Sequence, residues 1–170
     1  MKHPVTHHIV WLLLLVHPLC MYGQLFSLDV RNDSLSYLVL RSGGDKDCLL
    51  SRWCLPYPTY GFCTGDVDGD GSVDAIVGVV KPTRFDPVPA RRLFVFKQVE
   101  GHIRPLWLGS KLGGTIHDFR FTNGCVRCLH SSDSTRYHVV DYRWGSFGPA
   151  DAHIIVTDVS YEEARNAFDY

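Results

Sequence analysis

The sequence predicts an all-β protein of small antiparallel sheets, arranged as a partial β-propeller or as a side-by-side stack, with a β-sandwich as the alternative. Three observations predict it. Short runs rich in Val, Leu, Phe, Tyr and Trp recur from residue 25 onward and are punctuated by Gly, Pro, Asn and Asp. No helical period convinces outside the last dozen residues. Glu100-Gly101 and Asn123-Gly124 each sit between two such runs, and both dipeptides tolerate the positive φ of a tight hairpin turn.

In chain order, Lys2 precedes the apolar run Ile9-Val10-Trp11-Leu12-Leu13-Leu14-Leu15-Val16, which His17-Pro18 ends before it is long enough to cross a bilayer. This predicts a signal peptide over 1–23 with cleavage after Gly23, and therefore an exported protein with no transmembrane span once the leader is removed. A lipid anchor at Cys20 is the alternative, against which stands Leu19 where a lipobox wants a small residue. A single all-β domain is expected over 24–160, with candidate strands at 25–30, 35–41, 48–55, 75–80, 92–99, 102–108, 117–121, 125–130, 137–144 and 153–156. A loose echo of strand, turn, strand and Gly exit suits about three small sheets of roughly forty residues each. Residues 161–170 hold helix formers and little else, and are expected to be a frayed single helix or a disordered end.

Seventeen Lys and Arg against eighteen Asp and Glu leave a formal charge of −1, with no excess of positive charge to hold a polyphosphate backbone, so nucleic acid is excluded as a partner. Export permits disulfides among Cys48, Cys54, Cys63, Cys125 and Cys128, and an odd count leaves at least one thiol free. The pairing is open. Cys125-x-x-Cys128 with His130 has a zinc-like spacing, but it falls in a predicted strand, where positions three apart point to opposite faces. Buried thiols or a disulfide are the preferred reading.

Between residues 65 and 78 the chain reads Gly65-Asp66-Val67-Asp68-Gly69-Asp70-Gly71-Ser72-Val73-Asp74-Ala75-Ile76-Val77-Gly78. Acids stand at loop positions 1, 3, 5 and 9. A hard cation such as Ca²⁺ takes roughly six to eight oxygens, and alternate residues of a tightly curled loop turn their carboxylates toward one point. Asp66, Asp68 and Asp70 supply these, Gly71 permits the reversal, and the Ser72 carbonyl and Asp74 carboxylate close the shell. An EF-hand would need Glu at position 12, where Val77 stands within an apolar run.

This loop, preceded by Tyr60-Gly61-Phe62, resembles an FG-GAP or VCBS-type repeat, the calcium-loop blade of integrin α-subunit propellers and of many exported bacterial proteins. The resemblance covers about residues 60–81. It implies that the metal is structural and that recognition is done elsewhere. No G-x-S-x-G, P-loop or dinucleotide fingerprint occurs, and the histidines are scattered without H-E-x-x-H, so no enzyme is expected. A small exported hydrolase using the loop metal is the alternative. Core packing explains most of Trp53, Tyr57, Tyr60, Phe62, Trp107, Tyr142 and Trp144, and an exposed subset would bind a glycan or protein ligand. A free thiol or an open sheet edge would allow self-association.

Overall fold

Period-two alternation decides the layering, because successive residues of a strand face opposite sides of the sheet. The computed structural model describes residues 25–43, 47–84, 86–109 and 112–170. The leader over 1–23 and Cys20 lie outside the described residues. The first sheet holds β1 (Leu25–Asn32), β2 (Leu35–Arg41) and β3 (Leu49–Leu55) in the order β1-β2-β3. The second holds β4 (Thr59–Gly65), β5 (Asp74–Lys81), β6 (Ala90–Val99) and β7 (His102–Leu108), again in chain order. The third holds β8 (Thr115–Thr122), β9 (Cys125–Ser131), β10 (Tyr137–Gly145) and β11 (Gly148–Val159), and α1 (Tyr161–Asp169) follows it. Every neighbouring pair is antiparallel, so each sheet is a meander joined by hairpins.

The protein is therefore all-β in its body, with three sheets stacked in a row rather than the two of a sandwich, and none closes into a barrel. The middle sheet is apolar on both faces. Ala75, Val77, Val79, Phe94 and Phe96 pack against Phe26, Leu38, Leu40 and Leu55 of the first sheet. Ile76, Leu93 and Val95 point the other way, onto Ile116, Phe119, Val126 and Cys128 of the third. The far face of the third sheet meets the helix through Leu129, Val139, Ala164 and Phe168. Continuous apolar runs in β5 and β6 follow from that double burial. At the two hairpins named above, Glu100 and Gly101 have φ of 52° and 76°, and Asn123 and Gly124 have 50° and 72°.

Three differences from expectation have physical causes. The strand β4 is not among the expected strands, since Pro56 and Pro58 precede it and Gly61 and Gly65 interrupt its apolar pattern. Its glycines serve packing: a Cβ on Gly61 or on Gly78 would lie 2.7 Å from the Phe119 ring, and one on Gly65 would lie 2.0 Å from Phe121. The strand β11 starts before its expected apolar core, because 148–152 pair with 142–145 across the hairpin, with one bulge between Arg143 and Trp144. The C-terminal segment, expected to be frayed or disordered, is a capped helix docked on the third sheet, because Ala164 and Phe168 stand four apart on one face. All five described cysteines are free thiols, with Cys125 and Cys128 buried in β9. Burial pushes the Cys63 thiol up to about 12 and the Cys128 thiol higher still.

Candidate metal centre

The acidic loop connects β4 to β5, between Gly65 and Asp74, which pair across the two strands at the loop's base. Gly69 and Gly71 take φ of 76° and 84°, left-handed values that let the short loop curl. Backbone N–H groups then set the carboxylates. Gly71 donates to Asp66 Oδ2 at 3.0 Å, Asp70 to Asp68 Oδ1 at 3.3 Å, Ser72 to Asp70 Oδ1 at 2.8 Å and Val67 to Asp74 Oδ2 at 2.9 Å.

The carboxylates of Asp66, Asp68 and Asp74 come together, with one oxygen of each lying within 4.8 Å of the others, and this group can hold a metal ion. Two of these residues carry buried oxygens that no donor reaches: Asp66 Oδ1 and Asp74 Oδ1. Asp74 is 0% exposed. An unpaired carboxylate oxygen in the interior forfeits its hydration without recompense, and the arrangement makes physical sense around a cation. Burial pushes the Asp74 carboxyl up to about 6; the Val67 N–H works against that shift and the Asp68 charge adds to it.

Asp70 is not in the group of three. Its Oδ2 lies 2.6 Å from Lys97 Nζ, which also reaches Asp68 Oδ2 at 2.5 Å. The hydrogen bond from Lys97 holds the Asp70 carboxyl below its ordinary value, and the Asp68 and Asp70 carboxylates raise the Lys97 ammonium. Ser72 meets this arrangement through its N–H on Asp70. Sequence reasoning missed Lys97 altogether. It lies on β6 just past Phe96, which pairs with Ala75, and so stands beside Asp74 only through the β5–β6 register. No local pattern around residue 97 carries that information.

A shallow cleft of about 420 Å³ adjoins the loop. It runs from Asp66 and Asp68 past Phe121 to Arg143 and Trp144 at the end of β10. Of the aromatic residues singled out above, Tyr57 meets Phe94 and Tyr60 meets Phe119 edge to face, while Trp144 reaches the cleft. Among the described residues no helix is long and apolar enough to cross a membrane. The chain matches no protein-family model, no curated protein and no solved structure.

Proposed function

We propose that this protein is an exported, calcium-stabilised module of the FG-GAP/VCBS type that works by binding a protein or glycan partner, not by catalysis. One observation carries the reading: Asp66 Oδ1 and Asp74 Oδ1 are buried without a donor, beside Asp68, in a loop between two strands of the middle sheet. The donor set is all oxygen. Hard oxygen ligands on a flexible loop suit calcium, whereas zinc or copper would call for nitrogen or sulfur. The ion ties the loop to the ends of β4 and β5. Lys97 supplies positive charge to Asp68 and Asp70 when no ion is bound, and hands Asp68 over when one arrives. Recognition falls to the neighbouring cleft, where Trp144 and Phe121 offer apolar faces and Arg143 a charged one.

Thermal unfolding of the full chain in excess calcium, excess magnesium and chelator tests this. A ligand at a hundred times its Kd adds about 2.7 kcal/mol to the folded state. For a chain of this size that raises Tm by roughly 5–10 °C. Calcium is expected to give that rise and magnesium a smaller one. Asp74→Asn keeps the acceptor for Val67 N–H and removes the charge, so it folds and loses the calcium shift. A wild-type Tm that calcium leaves unmoved would overturn the reading.

A further inference from the structure

The acidic loop already holds a cation of the protein's own. Lys97 Nζ donates to Asp68 Oδ2 at 2.5 Å and to Asp70 Oδ2 at 2.6 Å, so one ammonium bridges two carboxylates that stand 29 and 27 positions away in the chain. It reaches them from β6, where the preceding Phe96 pairs with Ala75 at the start of β5. The side chains of Lys97 and Asp68 are only 22% and 14% exposed, so solvent and salt screen this bridge less than one on the open surface.

The carboxylates of the loop divide into two kinds. Asp68 belongs to the group of three with Asp66 and Asp74, yet both its oxygens have donors: Lys97 on Oδ2 and the Asp70 N–H on Oδ1. Asp70 stands at loop position 5, where the spacing calls for a ligand, but its Oδ2 is on Lys97 and its Oδ1 on the Ser72 N–H, and it lies outside that group. Asp66 and Asp74 are the reverse case. Each keeps a buried Oδ1 that no donor reaches, and Asp74 is 0% exposed. One half of the loop thus lacks positive charge, while a lysine side chain supplies it to the other half.

We propose that Lys97 is a tethered competitor of the bound ion and sets the calcium concentration at which the loop fills. This rests on the calcium reading above and adds to it how the site is regulated. Asp68 is common to the lysine bridge and the metal group, and like charges a few ångströms apart in a partly desolvated site oppose each other strongly. Lys97 therefore has to leave Asp68 before the three carboxylates can serve an ion together, and its departure also frees Asp70 to join them. The empty loop is held in its lysine-bridged form, and apparent affinity is lowered by the small fraction of molecules in which the bridge is open. Lys97 keeps the empty loop from flying apart by carboxylate repulsion, and in doing so keeps it empty until calcium is abundant.

Calorimetric titration of the full chain with calcium chloride, in wild type and in Lys97→Met, Lys97→Gln and Lys97→Arg, tests the proposal. Met keeps the apolar stem and Gln keeps a donor, but neither carries the charge, so both variants are expected to bind calcium at least about tenfold more tightly than wild type. Lys97→Arg keeps the charge and is expected to bind no more tightly than wild type. Thermal unfolding separates competition from a merely structural role. In chelator the two neutral variants should unfold at a lower temperature than wild type, because the carboxylates have lost their counter-charge, and in calcium that deficit should shrink or reverse. A lysine that only braced the loop would lower both temperatures alike. Unchanged or weakened affinity in both neutral variants, or the same deficit with and without calcium, would overturn the proposal and leave the calcium site standing. No calcium binding by wild type or by either neutral variant would overturn the proposal together with the reading on which it rests.

Discussion

At the scale of single residues, the buried polar groups divide into those with partners and those without. Arg127 and Asp141 form a two-pronged ion pair at 2.7 and 3.0 Å in the interior, each satisfying the other. Asp74 and His130 each keep one atom unpaired. The consequence for His130 is a pH dependence whose sign is set. Its folded pKa, about 4, lies below the value of 6.5 for an exposed histidine, so the unfolded chain binds the proton first. Stability is full above pH 6.5 and falls as pH drops toward 4, by up to about 3 kcal/mol. Urea unfolding at several pH values between 4 and 7, for wild type and His130→Gln, should show a markedly shallower slope in the variant. Parallel slopes would mean that the ring is not desolvated. The acids at 66, 68 and 74 were legible from their spacing alone, because a loop that curls a cation is written in consecutive residues. Lys97 and the pairing of His130 with His138 were not, because both arise from strand register over long chain separations.

At the scale of the element, the helix shows why a short tail can be ordered. Nine residues make a marginal helix in isolation. Here Ser160 and Glu163 form a reciprocal capping box at the N-terminus, and the acids Glu162 and Glu163 complement the positive end of the helix. The last turn has no basic residue of its own. The third sheet supplies the missing charge: Arg127 donates to the Ala167 carbonyl at 3.3 Å and Arg120 to the Asp169 carbonyl at 3.0 Å. Arg165 reaches back to Asp118 on β8 at 2.6 Å. Local composition showed helix formers, but the two arginines that donate to the last carbonyls lie about forty residues or more upstream, and that is why the segment read as frayed. Phe168→Ala is expected to cost about 3–4 kcal/mol, since Phe168 is 3% exposed and leaves a cavity against Leu129 and Val139. Ser160→Ala should cost about 1 kcal/mol through the lost cap. Chemical denaturation of the two variants checks the order; equal and negligible losses would mean that the helix lies on the sheet without stabilising it.

At the scale of the whole molecule, the stack has two unlike ends. The helix covers the third sheet. On the first sheet the outward side carries Ser27, Asp29, Tyr37 and Arg52, with the Arg52 guanidinium 3.4 Å from the Tyr37 ring centroid. Apart from Val39, which shares this side, the layer is polar, and among the described residues it shows no broad apolar face that a neighbouring blade would have to cover. The three-sheet count and the antiparallel order were legible from strand spacing and hairpin dipeptides. The linear stacking was written in parity, since apolar residues on both sides of 75–80 and 93–96 place that sheet between two others. Protection from solvent should follow the same order. Amides of β5 and β6 sit in a sheet covered on both faces and are expected to open only with global unfolding, whereas β1, an edge strand of a sheet covered on one face, should exchange through local opening. Hydrogen exchange of the native chain measures both. The layered account requires β5 and β6 to exchange at least about a hundredfold more slowly than β1, a gap of roughly 3 kcal/mol in opening free energy. Equal protection across the three sheets would instead show that they unfold as one cooperative block and that the middle sheet has no privileged place in the stack.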